Sequence, residues 1–214
     1  MDATLAPYVV TTAELTIELA ARPEAGAAWD AESACAGMSV GGLAQHLLSQ
    51  LRLLDQLLAA EPTDDAPITL EQHYERATWA NTDLDSETNV GIRELSDEQA
   101  RVGQDALLEA ARDQLSRLPA RLAARLAADD TVHLPWQGWS LHTADFVVTR
   151  CMEMLVHGDD LAASVGVPTP EYPLPVVRPV LALLTDVAVR RHGQTAVVRA
   201  LSRPQRAPDD VSAF

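Results

Sequence analysis

The chain of 214 residues carries 31 acids against 16 bases, a formal net charge of −15, and every one of those bases is arginine. The missing lysine excludes a Schiff-base nucleophile, a pyridoxal-phosphate anchor and a Walker lysine. The acidity argues against a nucleic-acid footprint or an anionic membrane surface, and 47% apolar with 4% aromatic residues describes a globular domain built on Ala and Leu.

Helical spacing dominates the chain. A first helix is expected over about residues 3–21, closed by Arg22-Pro23, followed by a loop with Gly26, Cys35 and Gly37. Ser39 suits an N-cap for a second helix reaching about Ala60, with Leu43, Leu47, Leu51, Leu54 and Leu58 as one apolar stripe. Thr69 to Gln72 has capping-box form and opens a shorter helix through about Trp79, and residues 81–89 read as loop. Ser96 to Gln99 resembles a second capping box, opening a helical stretch to about Ala128 that Pro119 is expected to kink or split. Its arginines, Arg112, Arg117, Arg121 and Arg125, read as a solvated face.

Residues 131–136 suit a short strand, and a helix is expected from about Ser140 to Val165. Prolines 168, 170, 173 and 175 then set off a last helix that Gly193 ends. The pattern is that of an all-α fold: a four-helix bundle with a short strand or irregular insertion and an extra C-terminal helix. One domain is expected over 1–203, with 204–214 as a flexible tail. Met1-Asp2-Ala3 lacks the basic start of a signal peptide, and the longest apolar stretch, 176–189, is interrupted by Arg178, Pro179 and Asp186. Cys35 and Cys151 have no CxxC context, so a reducing cytoplasm is the expected compartment.

The chemistry points to one helix face. Phe146, Arg150, Glu153, His157 and Leu161 follow helical spacing, placing an Arg, a carboxylate and an imidazole on a face that should be buried. Glu153 and His157, at i and i+4, can reach a common ion, with His46 on the apolar stripe as a third ligand. The alternative is a buried Arg150–Glu153–His157 polar network without metal. Cys35 and Cys151 read as small packing residues, His133 and His142 as surface or capping residues, and Trp136 and Trp139 as packing or pocket walls. His73 and His192 read as surface residues.

The stretch Cys35 to Leu47 (CAGMSVGGLAQHL) resembles the Cys-x-Gly-Trp-Ser/Thr-Val…Leu-x-x-His-Leu opening of mycothiol-dependent maleylpyruvate isomerase-like proteins, which belong to the DinB-like metal-binding bundles. Arg150 to Ala162 (RCMEMLVHGDDLA) is similar to that family's Arg-x-x-Glu-x-x-x-His-Gly-x-Asp-Leu-Ala, and Leu134-Pro135-Trp136 and residues 191–203 also follow its habit. The resemblance implies His46, Glu153 and His157 as ligands of a divalent metal, usually zinc, with mycothiol as the thiol. Arg150 and Asp160 match positions near the metal helix, Asp160 to orient His157 or to pair on the surface, and Arg150 to bind a substrate carboxylate.

Met38 and Asp159 stand where the family commonly has Trp, and Gly41-Gly42 where it has a charged pair, which leaves the substrate open. The implied activity is a thiol-using transferase or cis-trans isomerase whose partners are a small thiol and a small electrophile. A non-catalytic metal-binding or stress-related bundle and a metal-dependent hydrolase are the alternatives. A homodimer through the last helix is the candidate assembly.

Overall fold

The computed structural model describes residues 3–63, 65–80 and 85–214. Helix α1 (Ala6–Ala20) carries Pro7 in its first turn, where the missing N–H costs no helix bond, and stops three residues before Pro23. A short helix α2 (Pro23–Ala27) occupies part of the expected loop. Helix α3 (Val40–Ala59) begins where expected, with the Ser39 hydroxyl accepting from the Gly42 N–H. Its five stripe leucines are all buried, each burial being worth about 1.5–3 kcal/mol. The capping box at Thr69–Gln72 forms and opens α4 (Leu70–Arg76), with a 3-10 turn at Thr78–Ala80 beyond it.

The next boundary differs from the sequence reading. Of the expected loop 81–89, residues 81–84 lie outside the described residues, and α5 (Glu87–Ala100) starts at its N-cap Ser86. Ser96 is therefore interior to α5, buried, and bonded through Oγ to the Ile92 carbonyl 2.8 Å away. The capping-box pattern at Ser96 is not a helix start. The break falls at Gly103, whose φ of +87° suits glycine. Helix α6 (Gln104–Ala128) then runs unbroken through Pro119, because the buried Leu108, Leu118, Leu122 and Leu126 hold both halves against the bundle.

Strands β1 (Thr131–Leu134) and β2 (Trp139–His142) form an antiparallel hairpin, with Val132 opposite Leu141 and Leu134 opposite Trp139. The second strand takes residues expected to open the next helix, so α7 runs Thr143–Val165. Gly166, at φ +68°, ends it, and the Val167 N–H returns to the Ala162 carbonyl. After α8 (Leu174–His192), Gly193 both stops that helix and precedes α9 (Gln194–Ser202), so the single expected C-terminal helix is two.

Helix α3 is central, packing against α1, α5, α6 and α7, while α8 lies along α7. The architecture is an all-α bundle with a small hairpin insertion and C-terminal helices. Both ends of α3 are pinned by side chains. At its start, the Asp97 carboxylate accepts from the Ser39 N–H at 3.0 Å and the Ser39 hydroxyl at 2.6 Å. At its end, the buried Arg125 donates to the Leu58 and Ala60 carbonyls and pairs with Asp130.

Arg117 and Arg121 both pair with Asp55 on α3, itself buried. The α6 arginines expected to be solvated thus include three that tie α6 to its neighbours. In the C-terminal segment, the Phe214 ring lies 5.1 Å from that of Trp79 and 5.8 Å from that of Tyr74.

Glycine at the start of α3 is a steric requirement. A Cβ on Gly41 would sit 2.6 Å from the Trp29 ring, which is itself tethered to the Ala100 carbonyl. Replacing Gly41 by Ala is expected to destabilise the protein by about 1–3 kcal/mol, as overpacking does, despite the better helix propensity of Ala. Urea unfolding of the variant beside the parent measures this.

Candidate metal centre

His46 projects from the second turn of α3 and Glu153 and His157 from the middle of α7, and their ligand atoms all lie within 4.8 Å of one another. Glu153 is buried, whereas both imidazoles are half-buried and keep one side open to solvent. The Glu153 Oε2 is 3.5 Å from His46 Nε2 and 3.3 Å from His157 Nε2. Charge-assisted N–H···O bonds cluster at about 2.7–2.9 Å, so these separations are long for hydrogen bonds. They match the edge of a tetrahedron whose ligands stand about 2.0–2.1 Å from a central zinc, roughly 3.3–3.4 Å. The two imidazoles meet edge to face, their centroids 4.8 Å apart. Two imidazoles, one carboxylate and an open side suit a divalent metal.

Asp160 completes the arrangement on α7. Its carboxylate lies 3.0 Å from His157 Nδ1 and can only accept, so Nδ1 carries a proton and Nε2 is the nitrogen turned toward Glu153. Burial pushes the His157 pKa down, but the Asp160 and Glu153 carboxylates outweigh it and raise it to about 9. Burial likewise pushes Glu153 up, and the His157 and His46 imidazoles with the Arg150 guanidinium hold it well below the ordinary carboxylate range. The metal-free site is therefore an ion cluster, with a positive ring between two carboxylates.

Gly158, next to His157, makes room on a neighbouring face of α7. A Cβ there would lie 2.2 Å from the Tyr172 hydroxyl, which donates to the Met154 carbonyl and packs the segment before α8 onto α7.

With these elements in place, relationship can be read from the sequence. The family described as the mycothiol maleylpyruvate isomerase N-terminal domain matches residues 12–162, which include all of α3 and the whole His46–Glu153–His157 cluster. The chain belongs to this family. No curated protein and no solved structure matches it. The mycothiol maleylpyruvate isomerase family match ends inside the last turn of α7, so α8 and α9 lie beyond it.

Arg150 sits one turn before Glu153, half-buried, with its ring neighbour Phe146 5.8 Å away. Its NH1 donates to the Gln50 Oε1 at 2.7 Å, and the buried Gln50 in turn donates to the His46 carbonyl at 2.9 Å. One amide thus links the arginine of α7 to the helix turn that carries His46. Gln50 escaped the sequence reading because it occupies an ordinary polar position on α3. A different concavity, lined by Trp29, Asp30, Ser39, Asp97 and Arg101, shares no residue with the cluster and holds neither His nor Cys, so it does not compete as the centre.

His73 corrects an expectation. It is 3% exposed rather than on the surface, because α4 turns it inward against Tyr74 and the hairpin. The Trp139 indole N–H, a donor only, reaches His73 Nδ1 at 3.1 Å, so the neutral ring carries its proton on Nε2. Burial, with a smaller contribution from Arg150, lowers the His73 pKa to about 4, against a partial counterweight from Glu153. Both charged groups of the α7 face are thus felt at His73. Cys35 is half-buried in the loop docked on α7 through the Ala34 N–H to Ser164 Oγ bond, and Cys151 is buried; neither forms a disulfide.

The sign of the His73 contribution follows directly. Its folded pKa lies below the unfolded value of 6.5, so its contribution is complete above about pH 6.5 and is lost as pH falls through about 4. The loss amounts to at most roughly 3 kcal/mol, and a His73→Gln variant should show a flatter stability profile between pH 6.5 and 4. Chemical denaturation at stepped pH values measures the slope.

Proposed function

We propose that this protein is a metal-dependent enzyme in which a low-molecular-weight thiol of the mycothiol type attacks a small electrophile. The observation that carries the reading is the His46–Glu153–His157 cluster, assembled across α3 and α7 with its outer histidine oriented by Asp160. The family relationship supports mycothiol as the thiol. Zinc is the ion that a two-imidazole, one-carboxylate set with an open position favours. A divalent ion held there supplies the local positive charge that keeps a bound thiol deprotonated at neutral pH.

The chain's own groups do the rest. His46, Glu153 and His157 hold the ion, and Asp160 fixes the His157 tautomer. Arg150, steadied by Gln50, has no carboxylate within ion-pair distance among the described residues. A half-buried guanidinium in that state fits a carboxylate of the substrate. The thiolate adds to an electrophilic carbon of that substrate. Expulsion of the thiol after rotation about the former double bond gives cis-trans isomerisation, and protonation of the adduct gives a thioether conjugate. With no lysine in the chain, no side-chain ammonium competes for the carboxylate. Two cysteines outside any disulfide agree with a cytoplasmic setting for this thiol chemistry.

Elemental analysis of the purified protein should find one divalent ion per chain, lost in His46→Ala and bound about 10–100-fold more weakly in Asp160→Ala. Absence of stoichiometric metal, or equal turnover of an electrophile with and without added thiol, would overturn the reading. Arg150→Gln should retain its metal while raising KM for a carboxylate-bearing electrophile, which steady-state kinetics checks.

A further inference from the structure

A buried imidazole has two ring nitrogens, and each needs a partner. The Nδ1 of His73 accepts from the Trp139 indole N–H at 3.1 Å, which leaves the ring proton on Nε2. Among the described residues, no acceptor stands within hydrogen-bond distance of that Nε2–H, although the residue is only 3% exposed. Protein interiors keep few N–H donors in this state, because burial strips away the water that would otherwise serve them.

The fold sets this donor beside the α7 face. Strand β2 runs directly into α7, so Trp139 stands at the N-terminal end of the helix whose face continues through Phe146, Arg150, Glu153 and His157. His73 packs edge to face against Trp139 and Tyr74, with ring centroids 5.9 and 4.8 Å away. The charges of Arg150 and Glu153 act on both His73 and Tyr74, so α4 lies alongside that face. Burial and the Arg150 charge keep the His73 ring neutral near neutral pH, and a neutral ring stands near a guanidinium without repulsion. Arg150 donates to Thr149 and Gln50, but its NH2 has no acceptor among the described residues. Two neighbouring donors, each short of an oxygen, suit one ligand that carries an oxygen for each.

We propose that His73 is a further substrate-binding residue, whose Nε2–H donates to a carbonyl oxygen of the electrophile while Arg150 holds its carboxylate. This rests on the thiol-addition reading and adds the group that meets the charge developing on the substrate. A thiolate adds to a carbon–carbon double bond when the displaced electron pair has somewhere to go, most simply a conjugated carbonyl oxygen. As sulfur bonds to the β-carbon, the π pair moves onto that oxygen, and the N–H stabilises the enolate as it forms. The proton stays on the ring, since a neutral imidazole polarises a carbonyl as a hydrogen-bond donor and not as an acid. Return of the pair, after rotation about the bond that has become single, expels the thiolate. Protonation of the α-carbon instead gives the thioether. Trp139 positions the donor, because its own N–H denies Nδ1 the proton.

Two unreactive ligands isolate the contact: levulinate, a keto acid, and valerate, which has a methylene in place of the ketone. Calorimetric titration of the purified protein should show levulinate binding about 2–10-fold more tightly, the worth of one hydrogen bond. His73→Leu should erase that preference while valerate affinity and metal content stay unchanged. His73→Gln, which keeps an amide N–H, should retain part of it, and Arg150→Gln should weaken both acids alike. Trp139→Phe leaves the imidazole but frees its proton to move to Nδ1, so the preference should fall there too, even where leucine at 73 disturbs the packing. With mycothiol and the unsaturated keto acid acetylacrylate, His73→Leu should lower kcat by about 100-fold or more, well beyond its effect on KM. Equal binding of the two acids by the parent overturns the proposal, with an ordered water as the partner of Nε2–H, as does a ketone preference that survives undiminished in the His73→Leu and Trp139→Phe variants. Absence of thiol-dependent turnover would instead sink the thiol chemistry, because the ligand preference reports on His73 without any reaction.

Discussion

Glu153 is a carboxylate held out of water in the middle of a helix, and the pairing of α3 with α7 depends on how that charge is met. Burial alone would force it to take up a proton. The imidazoles of His157 and His46 and the guanidinium of Arg150 reverse that tendency. Two of those groups belong to α7 itself, but His46 comes from α3, so the carboxylate is fully served only when the two helices sit in one register. A slide by one turn would separate His46 from Glu153, and Gln50 from Arg150, together. Polar groups that are costly when unpaired therefore specify an alignment that leucine packing would leave looser.

The remaining helices hold α3 where that alignment needs it. Asp97 of α5 takes both the Ser39 N–H and its hydroxyl at the start of the helix, and Arg125 of α6 takes the last carbonyls at its end. Asp55, one turn from that end, is paired by Arg117 and Arg121. These contacts are distributed along a helix whose inward face is mostly leucine, with Gln45, Ser49 and Gln50 buried among it. Arginine suits the work, since one guanidinium can serve several carbonyls and a carboxylate at once, as Arg125 does. The absence of lysine is consistent with a bundle in which the inward cations must make several directed hydrogen bonds.

Legibility in the sequence followed the range of the interaction. The α3 stripe, the Ser39 cap, the Thr69 capping box and the Gly193 stop all rest on neighbours within four residues, and each was readable. The spacing of Arg150, Glu153 and His157 was equally readable as one face. Ser96 misled because a capping-box pattern and an interior serine bonded one turn back use the same letters. Pro119 does not split its helix, because tertiary burial on both sides outweighs one lost hydrogen bond. His73 was misread for the same kind of reason: what buries it is Trp139, brought in by a strand pairing that the local pattern showed only in part.

The sequence by itself determined the helical class, the central apolar stripe, the face of α7 and the family to which the chain belongs, because these depend on periodicity and on residues adjacent along one helix. Tertiary structure alone decided that His46 meets Glu153 across two helices at a metal-ligand spacing, that Gln50 joins Arg150 to the turn bearing His46, and that His73 is dry. It also decided which arginines are neutralised in the bundle and which remain at the surface. The reason is physical: a charge's partner across a bundle is set by the packing of whole helices, and that packing is not written in the spacing of any single one.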